Sequence, residues 1–286
     1  MASLILNSSI TLMFFSILSF LNPTTAAPGA NYLYHVCANT TFSANSLYKS
    51  SLNSLLSSLS SNAKKNHEFY NTTTSQNTSN PVYGLYNCRG DLSSDVCRGC
   101  VAVATEFLAN NCSREKNAVI WYDECMIRYS NESIFSTVVI SPKLYMSNSN
   151  NITNPDQFNK LVNTTLTSLA SQASDVPIGA KKFRTNEVNI SAFQTLYSLV
   201  QCTPDLSSTD CNFCLQTAIN RLPISCAGKR GGRVLFPSCN IIYELYHFYN
   251  RSEASSATPG LQPPPPPSSV SGQEGKVTAF SFLTIN

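Results

Sequence analysis

The residues of this chain best equipped to do chemistry are its cysteines. Cys97 and Cys100, and again Cys211 and Cys214, form Cys-x2-Cys pairs, a spacing that serves zinc binding, thiol exchange or a disulfide framework. The three histidines, His35, His67 and His247, stand at no metal-ligand spacing, and neither pair lies beside the βαβ pattern of a thioredoxin-like redox site. The neighbouring carboxylates Asp123 and Glu124 sit on an expected strand, where successive side chains point to opposite faces and cannot share one scissile bond. The chain is therefore expected not to be an enzyme, and to need no cofactor or metal.

Composition sets the compartment. Eleven cysteines in a chain with only 12% charged residues fit an oxidising environment, where disulfides persist. The apolar run Leu12–Leu21, too short to span a bilayer, ends at Thr24-Thr25-Ala26, which predicts a signal peptide over residues 1–26. Secretion to the extracellular space follows. Beyond the signal peptide, nine Asn-x-Ser/Thr sequons, at Asn39, Asn71, Asn77, Asn111, Asn131, Asn151, Asn163, Asn189 and Asn250, predict a glycoprotein. A net charge of +3 with no Lys/Arg run longer than two argues against nucleic acid as a partner.

A shift of 114 residues lays the chain on itself. Cys88, Cys97, Cys100, Cys112 and Cys125 fall on Cys202, Cys211, Cys214, Cys226 and Cys239 without a gap. Asp91-Leu92-Ser93-Ser94 falls on Asp205-Leu206-Ser207-Ser208, Tyr83 on Tyr197, and Leu52 and Leu55 on Leu166 and Leu169. Two copies of one domain are expected, over residues 27–136 and 137–252.

The elements that must carry these cysteines follow from periodicity. Leu47, Leu52, Leu55, Leu56 and Leu59 keep to one helical face, as do Phe158, Leu161, Leu166 and Leu169, with Asn45 and Asn154 as candidate caps. Strands are expected at Val82–Cys88 and Gln194–Cys202. A second helix, capped by Ser94 or Ser208, then carries each Cys-x2-Cys pair. Further strands are expected at Ala118–Tyr122, Met126–Tyr129, Val234–Phe236 and Ile241–Tyr249. The fold class is α+β: two tandem disulfide-stapled domains, each with two helices packed on an antiparallel sheet. Trp121, Tyr122, Tyr243, Tyr246 and Tyr249 read as core and sheet surface, with an exposed interface between chains as the competing use.

This Cys-x8-Cys-x2-Cys spacing, in two copies behind a signal peptide, resembles the ginkbilobin-homologous (salt-stress/antifungal) domain of plants. The run Gly231-Gly232-Arg233 through Tyr243-Glu244 is similar to the second extracellular domain of cysteine-rich receptor-like kinases. Spacing alone leaves many disulfide pairings open. The resemblance implies Cys37 with Cys112, Cys88 with Cys97, Cys100 with Cys125, Cys202 with Cys211 and Cys214 with Cys239. The position matching Cys37 in the second copy is read as Asn151, which leaves Cys226 as an unpaired, buried and inert thiol.

The resemblance to ginkbilobin implies a mannose triad: an Asn after the first cysteine, an Arg six before the last and a Glu five after it. At those positions the first copy has Ala38, Val119 and Ser130. The second keeps Arg233 and Glu244, with the Asn position on Ile152, beside Asn151. The resemblance thus offers Arg233, Glu244 and Asn151 as a weakened ligand site, and a cross-strand ion pair between Arg233 and Glu244 explains them equally well.

Residues 253–286 contain Pro263–Pro267 among serines and read as a disordered tail, with no stretch able to span a membrane. No Gly-rich phosphate loop or Asp-Phe-Gly is present, so kinase activity is not expected. The function expected is secreted, non-catalytic binding, and the resemblance implies a role in plant stress or defence signalling. The implied partner is a cell-wall carbohydrate or an extracellular protein or receptor. A receptor kinase shortened before its membrane helix, and a thiol-based redox or dimerisation module, are the alternatives.

Overall fold

The structure, a computed structural model, describes residues 30–76, 78, 80–252 and 280–283. The expected signal peptide lies outside the described residues. In the first copy the order is β1 (Tyr32–Cys37), α1 (Leu47–Ala63), β2 (Phe69–Thr74), β3 (Val82–Cys88), α2 (Ser94–Asn111), β4 (Ala118–Tyr122) and β5 (Cys125–Ser130). The second runs β6 (Leu144–Asn148), α3 (Pro155–Ser174), β7 (Phe183–Ser191), β8 (Gln194–Cys202), α4 (Ser208–Ile219), α5 (Leu222–Ser225), β9 (Gly232–Leu235) and β10 (Cys239–Glu244). The sheets are antiparallel and share one topology, β1-β4-β5-β3-β2 and β6-β9-β10-β8-β7.

The expected α+β class is what the chain adopts, and the differences are local. Three caps sit one residue from their expected places. Ser46, not Asn45, accepts from the Lys49 amide, and Ser93 and Ser207, rather than Ser94 and Ser208, accept from Val96 and Asp210. Asn154 does occupy the cap position of α3, yet its side chain makes no capping bond, and Pro155 opens that helix instead. The second copy has a third, short helix because Pro223, at the position of Ala109, lacks the N–H that would continue α4. The last strand ends at Glu244 rather than Tyr249. Within the expected tail, Phe280–Leu283 forms β11 and pairs antiparallel with β6, so that stretch is ordered. Among the described residues no helix is long and apolar enough to cross a membrane.

One face of each sheet buries its helices. Leu52, Leu55 and Leu59 of α1 pack with Val101, Ala104 and Leu108 of α2 on Val82, Tyr86, Ile120 and Ile127. Leu166, Leu169 and Ala173 of α3 do the same with Leu215 and Ala218 on Leu196, Val200, Val234 and Ile241. The other faces meet each other. Leu85, Val119, Trp121 and Met126 of the first sheet form one buried cluster with Leu144, Met146 and Leu235 of the second. This explains why β4, β5, β6 and β9 are buried along their whole length, where a sheet with one wet face would alternate. Of the five aromatics, Trp121 is buried between the sheets, Tyr122 and Tyr243 in the helix-facing cores and Tyr249 in a smaller cluster, so these four cannot line an exposed interface; Tyr246 is exposed.

Polar links tie the two domains. Gln201 Nε2 donates to the Cys88 carbonyl at 2.8 Å, and its Oε1 accepts from the Gly90 amide. The Asp205 carboxylate accepts from the Ser136 amide at 2.7 Å, and Asp91 accepts from the Asn250 amide at 2.8 Å.

Candidate functional site

Register on β9 and β10 sets the site. Val234, Ile241 and Tyr243 point to the helices. Arg233, Ile242 and Glu244 therefore point to the other domain, Ile242 standing opposite Arg233 and Glu244 diagonal to it. The expected Arg233–Glu244 cross-strand pair is replaced by an interdomain one: Arg233 Nη1 bonds Asp123 Oδ1 of the first domain. Asp123 and Glu124 lie in the turn between β4 and β5, not on a strand, which frees Asp123 to reach across while Glu124 accepts from the Asn31 amide at 2.9 Å.

Glu244 accepts from Asn148 Nδ2 at 3.3 Å, and its carboxylate lies over Gly231, where any Cβ would collide with it. Burial pushes the Glu244 carboxyl up to about 7, against the opposing pull of the Asn148 hydrogen bond and the Arg233 charge.

Asn148 is the residue that sequence reasoning missed. On β1 the pairs are Val36↔Val119 and Cys37↔Ala118; on β6 they are Met146↔Arg233 and Ser147↔Gly232. Since Ala118 corresponds to Gly232, the counterpart of Cys37 is Ser147, not Asn151. The next amides agree, Ala38 N bonding Asn117 O and Asn148 N bonding Gly231 O, each at 2.9 Å. The position after the first cysteine is thus Asn148, and Asn148, Arg233 and Glu244 are brought together. Asn151 is exposed and elsewhere, its Oδ1 accepting from Lys229 Nζ at 2.8 Å. Four extra residues between β6 and the first shared leucine of α3 shift the N-terminal strand to an offset of 110. With no cysteine there to mark it, the shift was invisible in sequence.

The assembled cluster is closed to solvent. Arg233, Glu244 and Asn148 retain 4%, 0% and 5% of their surface, sealed by the first domain. A site built from these three residues cannot admit a sugar while the sheets stay together.

The structure joins Cys37 to Cys112, Cys88 to Cys97, Cys100 to Cys125, Cys202 to Cys211 and Cys214 to Cys239. Among the described residues the one His, Cys and acid group close enough to hold a metal is His35 with Cys37 and Cys112, whose sulfurs are already bonded to each other. Cys226 is free and 2% exposed, with its Sγ 3.5 Å from the Met146 carbonyl; a Cβ at Gly232 would come within 2.7 Å of it. Burial raises its thiol pKa, which disfavours the thiolate needed for exchange. Native protein treated with iodoacetamide is therefore expected to carry no label at Cys226, and denatured protein full label; peptide mass spectrometry reads both. Labelling of the native protein would revive the redox alternative. Of the sequon asparagines, Asn39, Asn111, Asn151, Asn163, Asn189 and Asn250 are exposed, Asn71 and Asn131 half-buried, and Asn77 lies outside the described residues.

Fold and site together define a doubled, disulfide-stapled module whose domains are locked back to back. Residues 36–132 and 145–246 each match the salt stress response/antifungal domain, and the chain belongs to that family, with its domain in tandem. It is 45% identical over 280 residues to cysteine-rich receptor-like protein kinase 25 of Arabidopsis thaliana, covering 94% of this chain and 40% of that protein. It is 41% identical over 232 residues to putative cysteine-rich receptor-like protein kinase 9 of the same plant, covering 80% of this chain and 86% of the relative. The chain thus spans about 40% of the first of these curated relatives. Among solved structures, the tandem DUF26 ectodomain of the Arabidopsis cysteine-rich receptor-like protein PDLP8 superposes with a TM-score of 0.65 at 21% identity, covering 76% of this chain and 99% of that one. The corresponding ectodomain of PDLP5 gives 0.60 at 28%, with 75% and 99% covered.

Proposed function

We propose that this chain is a secreted, glycosylated, non-catalytic recognition protein of the plant apoplast, acting in stress or defence signalling. Its partner is an extracellular protein or peptide, with a cell-wall carbohydrate as the second class. The observation that carries this reading is the closed back-to-back packing. It hides the Asn148–Arg233–Glu244 cluster and leaves a rigid unit whose outer surfaces are available for recognition. A rigid surface loses little entropy on binding, and two joined domains can offer one continuous face. The similarity to a receptor-like protein kinase over 40% of that protein's length fits the same recognition role in a receptor-type ectodomain.

The test is a binding titration of the full glycosylated chain, by surface plasmon resonance, against purified receptor-like kinase ectodomains and a cell-wall glycan panel. Saturable binding to an ectodomain with none to mannose is expected. Mannose binding lost on Arg233→Gln, with no ectodomain bound, would overturn the protein-partner reading.

A further inference from the structure

The two copies treat the same place in opposite ways. In the second, Asn148, Glu244 and Arg233 fill the space between sheet and neighbour. In the first, their counterparts are Ala38, Ser130 and Val119, which line a cavity of about 280 Å³ together with Arg128. Ile134, Val139 and Pro142 of the interdomain connection form the opposite wall. A volume of this order sits at the lower end of small-ligand sites.

Arg128 is the unusual feature. It retains 4% of its surface, and only Nη2 has a protein acceptor, the Ile134 carbonyl at 3.0 Å; Nε and Nη1 have none. Among the described residues no carboxylate forms an ion pair with it. Asp205 acts on it electrostatically, but its Oδ2 accepts from the Ser136 amide. A buried guanidinium with two unpartnered N–H groups is costly, and the planar N–H fork suits a carboxylate. Burial lowers its pKa to about 10, so the cation persists at any physiological pH.

We propose that this cavity binds a small monocarboxylic acid with a compact apolar body, its carboxylate on Arg128 and its body against Val36, Val119, Ile134 and Val139. The carboxylate takes the place that the Glu244 side chain occupies in the second copy. Two short side chains, Ala38 and Ser130, supply the room. This site is separate from the surfaces offered to an extracellular partner, so either reading can fail without the other.

Phenylacetate is the probe, titrated by calorimetry into the full chain at pH 6, with the neutral isostere phenylacetamide as control. Saturable binding of phenylacetate is expected, at least tenfold tighter than phenylacetamide and at least tenfold weakened by Arg128→Gln. Ala38→Phe, which fills the cavity while keeping Arg128, is expected to abolish binding and tests the site even if Arg128→Gln fails to fold. Absence of phenylacetate binding by folded wild-type chain, equal affinity for the amide, or full affinity in Ala38→Phe would each overturn the proposal.

Discussion

Replacing Ser147 by cysteine is expected to close a sixth disulfide, with Cys226, and to stabilise the protein by about 4 kcal/mol from restriction of the unfolded chain. The expectation rests on register. Ser147 faces Gly232 as Cys37 faces Ala118, and Cys226 corresponds to Cys112. Cys226 Sγ already lies against Gly232 and the Met146 carbonyl, beside the position the new sulfur would take. Ser147→Cys should lose the single titratable thiol after denaturation and raise the thermal midpoint by several degrees. Asn151→Cys is the control that distinguishes spatial from sequence equivalence. It should leave Cys226 free and add a second thiol. A bridge from position 151 but not 147 would show the 110-residue offset to be wrong.

The second large effect is one of pH. The Glu244 carboxyl is held up to about 7 by burial, above its ordinary 4.5. The folded chain therefore binds this proton more tightly than the unfolded chain. Stability should fall as pH rises from about 4.5 to about 7, by about 3 kcal/mol at most, and be flat in this contribution outside that window. The groups acting on Glu244 are Arg233, Asp123, Cys226, Tyr243 and Tyr246. His35 and His247, whose pKa values burial lowers, contribute the opposite slope. The measurement is therefore a difference, urea unfolding of wild type and Glu244→Gln at pH 5 and pH 8. The two should match at pH 5, and the variant should be the more stable at pH 8. Equal pH slopes would show that Glu244 does not titrate in this range.

Much of the fold was legible in sequence because its strongest determinants are local. Val82–Cys88, Gln194–Cys202 and Ala118–Tyr122 are apolar strand runs, and the leucines of α1 and α3 recur at helical spacing. The edge strands β2 and β7, half-buried and rich in Thr and Asn, carry no such pattern, and β1 and β6 were missed with them. The ligand cluster was only half legible. Arg233 and Glu244 are fixed relative to nearby Cys239, whereas Asn148 lies beyond a four-residue insertion with no cysteine to reveal it.

By itself, then, the order and spacing of residues determined the duplication, the α+β class and the isolation of Cys226. Those are properties of chain-local pattern. Tertiary structure alone decided that Asp123, 110 residues from Arg233, supplies its counter-ion, that Ser147 and not Asn151 faces Cys226, and that the sugar-type cluster is sealed while its first-copy counterpart stays hollow. Each depends on which sheet faces meet, because burial and charge pairing are set by neighbours in space that no spacing along the chain encodes.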